Sequence, residues 1–297
     1  MGLSSRLVRR SAVAGREGEG RAVGSGEGNC DMRVESIGLI GFGAIGGALA
    51  DLLLAEAPSP LRVVLTRQAA IPEARKRLPA SVRIVADIDA LLAAQLDLIV
   101  ECAGQGAVRA FAPALLSAGR RLMVVSTGAL AGSGCLESLM DSAAPGAQLI
   151  VPAGAIAGLD GLGALKLAGL TAVTYTSTKP PLAWRGTPAE NLLDLEALDA
   201  PAAFFDGSAR EAALSYPKNA NLAATVALAG LGFDRTRVRL VADPRADGNV
   251  GHIEAESEAG SLRVTMSGRA SANPKTSASV AYSLLHAIKA RSTTLVI

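Results

Sequence analysis

Aromatic residues, histidine and cysteine are all scarce in this chain: one Trp, three Tyr, five Phe, two His and three Cys stand among 297 residues. The cysteines, Cys30, Cys102 and Cys135, are odd in number and lack C-x-x-C spacing, so the sequence offers neither a disulfide framework nor a zinc site. Long apolar runs are missing as well. Segments such as Ile37–Ile40 and Leu96–Val100 fall far short of the roughly 20 residues that span a bilayer. Nor is there an excess of one charge: 29 Lys and Arg face 27 Asp and Glu, which leaves no broad field for nucleic acid or an acidic membrane. What remains is rich in Ala, Gly, Leu and Val and long enough for two compact units, the profile of a soluble α/β protein of the cytoplasm.

Residues 1–31 stand apart. They hold Arg6, Arg9, Arg10, Arg16 and Arg21 among many Gly and Ser residues, without apolar periodicity. The basic start suits an organelle transit peptide, but Glu17, Glu19 and Glu27 argue against one, and no apolar stretch suits a secretory signal. The expectation is a disordered tail or an over-long start, with the fold beginning at Met32.

From Ser36 onward, short apolar runs alternate with helical patterns. Strands are expected at Ser36–Ile40, Leu61–Thr66, Val82–Val85, Leu96–Cys102, Arg121–Ser126 and Gln148–Val151. Helices are expected at Gly47–Ala55, Glu73–Leu78 and Ala107–Ala118. Such alternation implies a Rossmann-type, doubly wound parallel sheet over about 32–145. Beyond it the pattern changes. Half-exposed strands at Leu170–Thr178, Arg237–Ala242, His252–Ser257 and Leu262–Ser267, with helices at Ala157–Lys166 and Asn219–Ala229, predict a second α+β domain over 146–275 carrying a mixed sheet. A last helix, Thr276–Ala290, is expected to return to the first domain.

The first strand runs into Gly41-Phe42-Gly43-Ala44-Ile45-Gly46, a G-x-G-x-x-G between strand and helix. Gly41 allows the tight turn, Gly43 lets backbone approach a pyrophosphate, and Gly46 permits close helix–strand packing. The amides of Ala44, Ile45 and Gly46, at the positive end of a helix, suit phosphate. NAD-selective enzymes place an acid at the end of the second strand; here Thr66-Arg67 stands there, and Arg67 suits a 2′-phosphate. The expected cofactor is NAD or NADP, with NADP use favoured. Cys102 and Cys135 have no His or basic cluster beside them in sequence and read as small packed residues rather than nucleophiles. His286 falls among Leu284, Leu285 and Ile288 and reads as a packing or surface residue. His252 follows the flexible Asp247-Gly248-Asn249-Val250-Gly251 at a loop–strand junction, a place where catalytic groups are often held.

Taken in order, Gly38–Gly46 (GLIGFGAIG), Leu98–Ala103 (LIVECA), Ser126–Ala129 (STGA), Tyr216–Leu222 (YPKNANL), Ala229–Gly232, Asp234–Thr236, Ala242–Pro244, His252 and Asn273–Ser277 (NPKTS) resemble the L-aspartate dehydrogenases, which make iminoaspartate for nicotinamide-cofactor biosynthesis. The resemblance extends over nearly everything from Met32 onward. It implies oxidation of L-aspartate with NAD or NADP, an active-site role for His252, and cofactor contacts from Ala129 and from Asn221, with Asn219 as the other candidate. The partners it implies are a small-molecule substrate and further copies of the chain.

Chemically, oxidation at Cα needs an unprotonated amine, and a neutral imidazole can remove that proton or activate the water that attacks the imine. A substrate with two carboxylates calls for cationic and hydroxyl donors, for which Lys218, Lys275, Thr276 and Ser277 are the candidates. The competing readings are another amino-acid or semialdehyde oxidoreductase of similar plan and a non-catalytic NAD(P) sensor. Dihydrodipicolinate reductases carry paired histidines that this chain lacks, and homoserine dehydrogenases leave His252 and NPKTS together unexplained. A sensor predicts loss of polar candidates from the second half, where Lys218, Asn221, His252 and Lys275 are all present.

Overall fold

Strand β1 (Ile37–Ile40) is buried at every position, because apolar layers cover both faces of its sheet. Ile37 and Leu39 point into one core and Ile40 into the other, as the period of two demands. The computed structural model describes residues 36–269, 277–293 and 295. The tail expected over 1–31, and the candidates Lys275 and Thr276, lie outside the described residues.

After β1 come α1 (Ala44–Leu54), β2 (Leu61–Leu65), α2 (Ile71–Arg77), β3 (Arg83–Val85), α3 (Ile88–Leu92), β4 (Leu98–Glu101), α4 (Gln105–Ser117), β5 (Arg121–Val124), α5 (Cys135–Asp141) and β6 (Gln148–Ile150). The six strands pair in parallel in the order β3-β2-β1-β4-β5-β6, the doubly wound order whose crevice opens at the carboxyl ends of β1 and β4. The helix expected from Gly47 begins three residues earlier, at Ala44, and so brings its amino end directly onto the glycine turn.

The second half contains α6 (Leu159–Leu167), β7 (Leu170–Lys179), β8 (Ala202–Ser208), α7 (Ala209–Ser215), α8 (Asn221–Ala229), β9 (Arg237–Ala242), β10 (Gly248–Ser257), β11 (Gly260–Arg269) and α9 (Ser279–Lys289). Its sheet runs β11-β10-β7-β9-β8, with β7 and β9 parallel and the other pairs antiparallel, which makes it mixed. Alternation along β7 sorts the two faces. Val173, Tyr175, Ser177 and Lys179 are buried, whereas Thr174, Thr176 and Thr178 lie on the opposite, partly exposed face.

One core, on the α4 side of the parallel sheet, continues without a break into the inner face of the mixed sheet through Leu130, Ala131, Ala223, Val226 and Tyr175. The other core lies under α1 and α9. There Val280, Leu284 and Ile288, spaced four apart on one helix face, pack with Leu49 and Leu53. The described part of the last helix starts at Ser279, so Ser277 stands before it rather than in it. The scarce aromatics are concentrated: Trp184, Phe204, Phe205 and Tyr216 form one edge-to-face cluster behind the end of β7.

Candidate active site

The glycine turn holds its shape for steric reasons. Gly41 has φ +95°, and a Cβ there would stand 2.7 Å from Ala103 Cα. A Cβ on Gly46 would be 2.2 Å from the carbonyl oxygen of Gly41, so helix and turn approach too closely for any side chain. Gly43 differs: a Cβ would meet nothing within 4 Å, so its missing side chain leaves open space instead of a close contact. No side chain caps the first turn of α1, and its amides stay available at the positive end of the helix. The open space at Gly43 gives room for a phosphate in front of these amides, room that a side chain would take up. The recess in front of the turn continues past Thr66, Arg67, Ala70, Ala86, Ala107 and Phe111, with Arg67 exposed on its rim at the end of β2. Gly41, Gly43, Ala44, Ile45, Gly46 and Arg67 thus sit together, and they fit a dinucleotide.

Beside this recess, the loops after β4 and β5 are tied by one carboxylate. Glu101, the last residue of β4, is 1% exposed. Its Oε1 accepts from Ala103 N at 2.7 Å, Gly104 N at 2.7 Å and Ser126 Oγ at 3.0 Å, while Oε2 accepts from Ser126 N at 3.0 Å. Burial pushes the carboxyl above the ordinary carboxylate range, and the four donors hold it back only in part. Neighbouring Cys102 has its thiol pushed well up by burial and then by the Glu101 charge, which keeps it protonated and unfit as a nucleophile.

The loop after β5 is then fixed to α8. Thr127 Oγ1 donates to the Asn221 carbonyl at 2.6 Å and pairs with Thr225 Oγ1 at 3.0 Å, and Gly128 N donates to Asn221 Oδ1 at 3.2 Å. Asn221 therefore borders the cleft with its side-chain oxygen already engaged by this loop. Ala129, expected at the cofactor, is 1% exposed and belongs to the core below the cleft; Val125 and Ser126 line the recess in its place. The reason is that residues 127–131 coil into a buried 3-10 turn instead of extending the strand.

Two recesses meet at this loop. The first, on the dinucleotide side, is lined by Ala44, Ile45, Ala103, Gly104, Val125 and Lys218. The second lies deeper, between α8 and the inner face of the mixed sheet. Its lining includes Tyr175, Ser177, Lys179, Lys218, Asn219, Asn249 and Ser277. The described lining of the inner cavity carries two lysines and no acidic residue, so its local field favours an anion. Asn219 Oδ1 and Asn249 Oδ1 are buried there without a hydrogen-bond partner among the described residues, two acceptors suited to a ligand that carries N–H groups. Burial pushes the Tyr175 hydroxyl far up, so it stands as a neutral donor.

His252 is not in this cavity. It pairs across the sheet with Thr176 and Thr265, and its Nδ1 is 2.7 Å from Thr265 Oγ1 on the outward face. Glu254, on the same face, lies 3.7 Å from its Nε2. The inward neighbour is Gly251, which pairs with Ser177 and where a Cβ would stand 2.6 Å from Ile156 Cδ1 and 3.2 Å from the Tyr175 hydroxyl. The resemblance implies an active-site role for His252, and the pattern sets it where a loop enters a strand; β10 instead begins at Gly248, so His252 lies within the strand, where a step of one residue reverses the face. Ser277 does line the cavity, 5% exposed, with Oγ 3.4 Å from the Arg269 carbonyl. His286 is exposed on α9. Lys179, Tyr175, Ser177, Asn249 and the tie at Glu101 were not singled out from sequence. The available signals were a lysine in phase with Val173, Tyr175 and Ser177, and an acid inside an apolar parallel strand.

Sheet order, glycine cradle and a cleft facing a second mixed sheet define the class of two-part dinucleotide-binding proteins. Residues 41–152 match the family model described as homoserine dehydrogenase, NAD binding domain, and residues 160–291 match aspartate dehydrogenase, C-terminal. The L-aspartate dehydrogenase of Polaromonas sp. is 45% identical over 268 residues, 88% of this chain and 99% of that protein. That of Pseudomonas aeruginosa is 43% identical over 85% of this chain and 96% of its own length. The crystal structure of aspartate dehydrogenase from Thermotoga maritima superposes with a TM-score of 0.67 at 23% identity, covering 89% of this chain and 99% of that one, and shares its fold. The chain belongs to the L-aspartate dehydrogenase family.

The Glu101 tie yields a test. Glu101→Gln keeps the length but sets an NH2 against the amide or hydroxyl of Ser126, leaving a buried donor unmatched at a cost of about 1–3 kcal/mol. Because the folded-state pKa is raised, the native state binds this proton more tightly than the unfolded chain. The advantage of Glu over Gln is therefore greatest below the ordinary carboxylate range and shrinks as pH rises through the raised value. Melting both proteins across roughly pH 4 to 7 checks this, and a gap that widens with pH contradicts the sign.

Proposed function

We propose that this chain oxidises L-aspartate to iminoaspartate with NAD or NADP, L-aspartate and NAD(P)⁺ giving the imine, NAD(P)H and a proton. The observation that carries this reading is the inner cavity, with lysines but no described acid in its lining and buried amide oxygens that lack donors among the described residues, opening beside a dinucleotide cradle. Anionic carboxylates suit the lysines, and an amino group suits an amide oxygen such as Asn249 Oδ1. The family's name, and relatives above 40% identity over most of the chain, support the same substrate. The halves divide the labour in this reading, 32–145 with the C-terminal helix holding the cofactor and 146–275 the substrate. No described helix is long and apolar enough to cross a membrane, and a cytoplasmic homo-oligomer forms part of the proposal.

When bound, the nicotinamide supplies the hydride acceptor. The chain's own task is to orient and to exclude water. Lys218 Nζ, at the junction of the two recesses, draws the carboxylate next to the reacting carbon. Asn249 Oδ1 accepts from the amine and turns its nitrogen inward. The hydroxyls of Tyr175 and Ser277 supply neutral donors along the wall. With the imidazole of His252 on the outer face, the amine's proton leaves to solvent through the cleft mouth, and oxidation rises with pH as the substrate amine becomes neutral.

A screen of amino acids with NAD and NADP, following the absorbance of reduced cofactor, tests the function directly. L-Aspartate is expected to be turned over in preference to L-alanine and L-homoserine; tight cofactor binding without turnover of any of them refutes it. Arg67→Asp is expected to weaken NADP by about 10- to 150-fold, the range of one charge-assisted hydrogen bond, and NAD far less. Equal effects on both cofactors place Arg67 away from the ribose. His252→Ala is expected to fall well short of the about 10²- to 10⁴-fold loss of a positioned acid–base group and to keep the wild-type pH profile. Loss of that size, with an imidazole limb vanishing from the profile, returns His252 to the chemistry.

A further inference from the structure

We infer that Lys179 is the residue that makes this site select a dicarboxylate, by receiving the carboxylate remote from the reacting carbon. The inference rests on the proposed amino-acid oxidation only for which carboxylate is the remote one. Lys179 is the last residue of β7 and is 5% exposed. Its neighbours in phase, Val173, Tyr175 and Ser177, face the same way, so strand alternation carries the ammonium inward. Lysine is seldom buried to this degree. Here Nζ donates to the Asn219 carbonyl at 3.3 Å and stands 5.2 Å from the centre of the Trp184 ring. Trp184 is itself fixed, fully buried, with Nε1 donating to the Val241 carbonyl at 3.1 Å. The following Pro180-Pro181 and the hydrogen bond from Asp243 N to the Lys179 carbonyl at 2.9 Å hold the backbone. This is a cation built into a rigid aromatic-backed wall rather than a mobile surface lysine.

Position assigns the role. Lys218, Asn221, Ile45 and Val125 line both recesses, whereas Lys179 lines the inner cavity alone. A ligand whose reacting carbon faces the dinucleotide side therefore sets its near carboxylate by Lys218 and extends its far end toward Lys179. Screening by water is weak at a buried cation, so a carboxylate placed there gains more than it would at the surface. An amino acid without the second carboxylate forgoes the contact with Lys179, and the difference between the two ligands is the worth of that contact.

The test titrates the full-length, cofactor-saturated protein with succinate and with butyrate, which differ by the second carboxylate and carry no reacting amine. Wild type is expected to prefer succinate. Lys179→Met, which keeps an unbranched apolar stem over Trp184, is expected to lower succinate affinity about 10- to 150-fold and leave butyrate and NAD(P)H affinity unchanged. Under turnover it is expected to raise KM for L-aspartate more than it lowers kcat. A folded Lys179→Met protein that keeps the succinate preference overturns the assignment. Lys179→Gln serves if the Met variant does not fold. If neither folds, protection of wild-type Lys179 from acylation by succinate but not butyrate decides, and lack of protection overturns it. Lys179-dependent succinate binding in a protein that does not oxidise L-aspartate sinks the proposed function and leaves this site standing; turnover of L-aspartate with Lys179-independent succinate binding does the reverse.

Discussion

A single buried carboxylate fixes the shape of the cleft. Glu101 gathers the amides of Ala103 and Gly104 from one loop and the amide and hydroxyl of Ser126 from the next. Loops at the ends of parallel strands have no ladder partners of their own, so their amides would otherwise be buried unpaired or face the ligand at random. The cost is a charge held out of water, visible as a carboxyl raised by burial despite four donors. From Ser126 the constraint passes along the chain to Thr127 and Gly128, and from these by hydrogen bonds to Asn221 and Thr225 of α8. The wall between the two recesses is thus positioned by a chain of short polar contacts that begins at one side chain.

Those contacts explain why a sheet of ordinary order becomes a specific site. The parallel half supplies a glycine cradle and a crevice, which many unrelated activities share. Chemistry-bearing groups come from the mixed sheet, and their reach is decided by strand parity. On β7 parity turns Tyr175, Ser177 and Lys179 inward; on β10 it turns Gly251 inward and His252 outward. The missing side chain at Gly251 is where Ile156 and the Tyr175 hydroxyl close in, so that stretch of strand contributes packing and Asn249, not an imidazole.

The parallel half was legible in the sequence because two independent signals agree there. Buried strands such as Ile37–Ile40 (IGLI) read as apolar runs, and the glycines fall at the joint between strand and helix. The differences lie at element ends, where β4 and β5 are shorter than the expected Leu96–Cys102 and Arg121–Ser126 and the helices begin earlier, and at the short α3 and α5, which the pattern does not mark. The mixed half was less legible. β8 (AAFFDGS) is partly exposed throughout and its pairing with β9 shifts register near Phe204, so neither a period of two nor an apolar run marks it. α7 is seven residues long, too short for a helical period to show, although its Ser208–Glu211 capping box was present to be read. In the site, Gly41, Gly43, Gly46 and Arg67 come to the cleft from local pattern, and Lys218 and Ser277 from the donors that a substrate with two carboxylates calls for. His252 and Ala129 do not, because which face a residue shows depends on pairing register and on a 3-10 coil, both set by distant contacts.

Net charge conceals the electrostatics that matter. With 29 basic and 27 acidic residues the chain has almost no long-range field, and some of its surface charges are matched in pairs such as Arg237–Asp206 and Arg210–Asp234. Such surface pairs are screened and contribute little to anion capture. In the cleft the balance is local: two lysines, amide groups and hydroxyls line the inner cavity, and no described acid joins them. The scarcity of aromatics acts in the same direction. Trp184, Phe204, Phe205 and Tyr216 pack together, and of these Trp184 stands against the Lys179 ammonium. A protein of nearly neutral composition can therefore present a cationic pocket, because selectivity for an anion depends on what stands within a few ångströms of it and on how little solvent lies between.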